Sequence, residues 1–91
     1  MDLEKIGRNI RKIRELRDFD QQYMALKLEI SQGQYSKIEQ GMKDISITVL
    51  DKIATVLNVE KSLLETLEVD SLLKNYKQPT TQTFSQNEKT T

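Results

Sequence analysis

Only three residues separate Leu28, the last member of one run of helix-spaced apolar side chains, from Gln32, where the next helix begins. Ser31 is a strong N-cap, and Ser31-Gln32-Gly33-Gln34 has the capping-box spacing, a hydroxyl residue followed three positions on by Gln. The earlier helix carries Met24, Ala25 and Leu28 on its inner face, and the later one carries Tyr35 and Ile38. Two short helices joined this tightly cross at a steep angle, leaving the outer face of the second uncovered. Ala25 is small enough for close approach, and Leu28, Ile30, Tyr35 and Ile38 form the wedge between the two.

The rest of the chain supplies a framework for that pair. Leu3, Ile6, Ile10, Ile13 and Leu16 recur in steps of three or four, one stripe of an amphipathic first helix. Asp20 offers a side-chain oxygen to the free amides of a second helix opening at Gln21. Gly41, just after Gln40, suits the left-handed residue that ends a third helix. Ser46 caps a fourth, whose Val49, Leu50, Ile53, Ala54 and Leu57 share a face and whose terminator is Asn58. Residues 60–77 hold Leu63, Leu64, Leu67, Leu72, Leu73 and Tyr76, enough for a fifth helix and an extension. Beyond Pro79 the residues are almost all polar, with a single Phe84, and bury too little apolar area to offset chain entropy. The reading is therefore an all-α domain over 1–69, a helical extension over 70–77 and a disordered tail over 78–91.

Composition excludes more than it selects. Ninety-one residues fit one domain with a modest core. There is no histidine and no cysteine, which removes disulfides, thiolate chemistry, the usual zinc ligand sets and the commonest general base. No catalytic residue, cofactor or metal is expected. No stretch approaches the roughly 18 consecutive apolar residues of a membrane span, and the opening MDLEKIGRNI lacks a secretory apolar core, so the expectation is a cytoplasmic chain. Fourteen basic residues balance fourteen acidic ones, which counts mildly against a nucleic-acid partner. Residues 1–17 are less neutral, with Lys5, Arg8, Arg11, Lys12, Arg14 and Arg17 against Asp2, Glu4 and Glu15. Such a run is usually a solvated helix face, and contact with phosphates is its other use.

The stretch IRKIRELRDFDQQYMALKLEISQGQYSKIEQG, followed by ITVLDKIATVLNV, resembles the Cro and phage-repressor superfamily, the xenobiotic-response-element type of helix-turn-helix regulators. The resemblance rests on Arg14, Gln21, Ala25, Leu28, Ser31, Glu39, Gly41, Ile53-Ala54 and Leu57, and covers about two thirds of the chain. It implies a five-helix, lambda-repressor-like fold in which Arg14 and Glu39 form an ion pair tying the first helix to the end of the third. Three positions depart from the pattern: Glu29 stands where glycine is usual in the turn, Ile45 where proline is common, and Met24 where leucine is usual. A non-glycine residue with positive φ in that turn costs on the order of 1 kcal/mol.

The resemblance further implies binding to double-stranded DNA by a homodimer, with Gln32, Gly33, Gln34, Ser36 and Lys37 presented to the bases. A Gln amide pairs with adenine N6 and N7, a Lys donates to guanine O6 or N7, and Gly33 lets the backbone approach closely. Gln34 has a competing use in its capping box. Gln21, Lys43 and Arg11 are expected at phosphates, which position a protein without choosing a sequence. Leu64, Leu67, Leu72 and Tyr76 form an apolar stripe expected to dimerise, closure of the core against the first helix being its alternative use. The regulator is expected to act as a repressor. Two other functions fit the same pattern: a DNA-binding antitoxin whose 78–91 tail folds on a protein partner, and an interaction module that has lost DNA binding.

Overall fold

The first four helices each begin where a side chain accepts from a free amide of the first turn. The computed structural model describes residues 2–68 and shows five helices there: α1 Leu3–Leu16, α2 Gln21–Leu28, α3 Gln32–Glu39, α4 Ile47–Leu57 and α5 Lys61–Thr66. Asp2, Asp20, Ser31 and Ser46 cap α1 to α4 by accepting from the backbone N–H groups of Lys5, Tyr23, Gln34 and Val49. The α3 capping box is complete, because Gln34 Oε1 also accepts from the Ser31 N–H at 3.1 Å.

The first four helices end alike. The N–H groups of Phe19, Ile30, Met42 and Val59 bond back to the carbonyls of Arg14, Ala25, Lys37 and Ala54 at 2.9–3.2 Å. This is the Schellman closure, with a left-handed residue at each stop: Asp18 (φ 61°), Glu29 (φ 60°), Gly41 (φ 74°) and Asn58 (φ 58°). Gly41 and Asn58 were legible as terminators, whereas Asp18 was not singled out in the sequence. At Gly41 the need for glycine is double, since a Cβ there would also lie 2.8 Å from the Glu4 Cα.

The core joins Ile6, Ile10 and Ile13 of α1 to Met24, Ala25 and Leu28 of α2 and to Tyr35 and Ile38 of α3. Leu50, Ile53, Ala54 and Leu57 of α4 and Leu64 of α5 complete it, with Ile45 from the preceding loop. Gly7 lets α1 lie directly on the end of α3, where a Cβ would fall 2.4 Å from the Glu39 carbonyl oxygen. Two expectations need correction. Leu16 is 77% exposed, because the chain leaves the core at the Asp18 turn and the buried stripe of α1 stops at Ile13. Leu64 belongs to the core and not to a dimer stripe: it is fully buried, and its carbonyl accepts from Asn9 Nδ2 at 2.8 Å, so α5 closes against α1. Leu67 is half-buried against the same core. Leu72, Tyr76, the 70–77 extension and the 78–91 tail lie outside the described residues.

Candidate nucleic-acid interface

The crossing of α2 and α3 is locked by a buried carboxylate. Glu39 projects inward from the last turn of α3, its side chain 3% exposed, and both its oxygens are occupied. Oε2 accepts from Arg14 Nε at 2.6 Å and from the Tyr35 hydroxyl. Oε1 accepts from Arg14 Nη2 and from Gln21 Nε2, each at 3.1 Å. The Arg14 fork is bidentate, and its remaining arm donates to the Phe19 carbonyl at 2.8 Å. One carboxylate therefore ties α1, the first residue of α2 and α3 together. The hydrogen bond to Glu39 holds the Arg14 guanidinium above its ordinary pKa. Burial, followed by the hydrogen bond to Glu39, holds the Tyr35 phenol far above its own.

With the inner face of α3 so engaged, its outer face is open. Tyr35, Ile38 and Glu39 are buried, Ser36 is half-buried, and Gln32, Gly33, Gln34, Lys37 and Gln40 are exposed. These positions follow the helical repeat, so Gly33, Ser36, Lys37 and Gln40 line one face with Gln32 at its leading edge. Gln34 Oε1 is engaged with the Ser31 N–H, so what Gln34 offers outward is chiefly its amide NH₂. The Ser36 hydroxyl accepts from Gln40 Nε2 at 2.9 Å, which leaves its O–H free to donate.

The three residues expected at phosphates are placed differently from one another. Lys43 is exposed in the loop after α3. Arg11 sits on α1 in an exposed pair with Glu15 at 3.2 Å, which is weak enough to exchange for another anion. Gln21 is half-buried and has one amide hydrogen committed to Glu39, so its second N–H and the first-turn backbone amides of α2 are what it presents. Asp20, the cap of that same helix, adds a negative charge at the site. Sequence reasoning treated Tyr35 as an apolar inward residue and missed its hydroxyl. The i, i+4 spacing of Tyr35 and Glu39 was the available signal. Gly7, Asn9 and Arg17, whose guanidinium donates to the Leu57 carbonyl at 2.9 Å, carried no comparable signal.

Comparisons place this geometry. The helix-turn-helix family profile HTH_3 matches residues 10–64. The crystal structure of the restriction-modification controller protein C.AhdI from Aeromonas hydrophila is similar with a TM-score of 0.66 at 27% identity, over 69% of this chain and 96% of that one. The clp gene regulator ClgR from Corynebacterium glutamicum shares the fold, with a TM-score of 0.72 at 20% identity over 86% of this chain and 83% of its own. No curated protein gives a significant match. Among the described residues no helix is long and apolar enough to cross a membrane. The tightly joined α2–α3 pair, its buried lock and the matched residues identify the chain as a member of the Cro/C1-type helix-turn-helix family of DNA-binding transcriptional regulators.

Proposed function

We propose that this regulator reads double-stranded DNA with the outer face of α3 lying in a major groove and represses transcription from a two-fold symmetric operator as a homodimer. The observation that carries the reading is the division of α3 into a locked inner face and an exposed outer face bearing Gln32, Gly33, Gln34, Ser36 and Lys37. Gln32 is suited to an adenine, and Lys37 to a guanine. Gln21, Lys43 and Arg11 supply donors for phosphates on either side of the groove. The similarity to C.AhdI, itself a controller protein, supports a role in regulating transcription.

Selection of bound sequences from a random DNA pool tests the reading, followed by titration of single-base variants. Gln32→Ala and Lys37→Ala should melt like wild type, yet each should lose roughly 1–3 kcal/mol at one operator position and relax the preference there. Wild-type preference in both variants at every position would sink the assignment. For the dimer, the apolar surface that the described residues leave after Leu64 joins the core is the exposed Leu63 beside the half-buried Val59 and Leu67. Leu63→Glu should sediment as a monomer with wild-type helicity. An unchanged dimer would place the interface elsewhere.

A further inference from the structure

The chain has three glycines, and the structure accounts for two of them. A Cβ at Gly7 would strike the Glu39 and Ile38 carbonyls, and Gly41 combines a left-handed backbone with contact against Glu4. Gly33 has neither reason. It lies in the first turn of α3, its φ is outside the left-handed region, and a Cβ there would meet nothing nearer than the Ser31 Oγ at 4.0 Å. The protein itself would accept alanine there without moving an atom, and alanine is the better helix former.

A residue that weakens its own helix with no internal return points to a requirement outside the chain. Gly33 is exposed and stands between Gln32 and Gln34, on the face that also carries Lys37. We infer that Gly33 is the point of closest approach between α3 and DNA, and that its missing side chain sets the depth to which the helix enters the groove. This deepens the major-groove reading proposed above and rests on it. A Cβ at this point would hold α3 away from the base edges by the thickness of a methyl group. Gln32 and Lys37 would then reach their acceptors through lengthened, misaligned bonds, which weaken steeply with angle. Position 33 would thus contribute to specificity by absence, and its neighbours by presence.

The full-length chain with Gly33→Ala and with Gly33→Ser is to be compared with wild type in two measurements: thermal melts, and titration of the pool-selected operator against a scrambled duplex. Both variants should melt at or above the wild-type temperature. Both should bind the operator at least tenfold more weakly, with scrambled DNA at low salt bound nearly as before and the serine variant no better than alanine. Wild-type operator affinity in Gly33→Ala would overturn the inference while leaving the reading by Gln32 and Lys37 intact. A lowered melting temperature would overturn it too, by giving the glycine an internal purpose. If wild type selects no sequence from the pool, the groove reading and this inference fail together.

Discussion

Replacing Glu29 by glycine should stabilise the fold, although it removes a side chain and puts in the most flexible residue. Glu29 ends α2 at φ 60°, ψ 42°, the left-handed conformation that every Schellman closure requires. An L-residue held there costs about 1–2 kcal/mol, and Asn or Asp tolerates it better than Glu does. The side chain offers no visible return: it is exposed and, among the described residues, makes no ion pair or side-chain hydrogen bond. Glycine removes the strain and keeps both backbone bonds of the turn, Glu29 N–H to the Leu26 carbonyl and Ile30 N–H to that of Ala25. Against this stands the greater entropy of glycine in the unfolded chain, about 0.5–1 kcal/mol. The difference is a net gain of about 0.5–1 kcal/mol, which raises the melting temperature of so small a domain by about 2–8 °C. Circular-dichroism melts of Glu29→Gly and Glu29→Ala against wild type would measure it. Alanine loses the same side chain but keeps the strain, so it should stay within about 0.5 kcal/mol of wild type. A glycine variant that melts at or below wild type, or an alanine variant that gains as much, would refute the assignment of the strain to the backbone.

Three further outcomes follow from the same geometry. Arg14→Ala strands the Glu39 carboxylate in a buried site and should cost about 3–5 kcal/mol in chemical denaturation, with DNA binding falling alike for every sequence. Asp20→Asn keeps the cap on Tyr23 but removes a negative charge beside the proposed phosphate site, so affinity at low salt should rise several-fold and the melting temperature should hardly move; unchanged affinity would place the α2 terminus away from DNA. The fold holds the Tyr35 phenol above its ordinary pKa of 10.0, so the un-ionised form is the one it favours; that stabilisation is whole below pH 10 and lost as pH rises beyond it, and the loss should be absent in Tyr35→Phe.

The elements that could be read from sequence are those determined by local chemistry. Asp20, Ser31 and Ser46 announce their helices because capping needs a short oxygen-bearing side chain at one position, whatever the tertiary context. The division of α3 into inner and outer faces was legible for the same reason, since the helical repeat alone separates Tyr35 and Ile38 from Gln32 and Lys37. Apart from the Arg14–Glu39 pair, which the family resemblance implied, what depended on distant partners was not legible. The stripe of leucines after residue 60 left dimerisation and closure against the first helix both open, and only the bond from Asn9, 55 positions away, to the Leu64 carbonyl decides for closure. Gln21 looked wholly available to a ligand until Glu39, 18 positions on, took one of its hydrogens. Gly7 had no motif around it, and its purpose exists only once the end of α3 lies across it.

The lock on Glu39 bears on how such a regulator changes its target over generations. The bonds that set the angle between α2 and α3 involve Arg14, Gln21, Tyr35 and Glu39, and none comes from Gln32, Gly33 or Lys37. Substitutions at those three positions leave that lock intact, and in the proposed reading selection acts on them through the operator. Gln34 and Ser36 are less free, because one closes the capping box and the other is bonded to Gln40. New specificities in descendants of this chain should therefore arise first at 32, 33 and 37, with 34 and 36 lagging behind, so the order of divergence is constrained by which amides the helix itself needs.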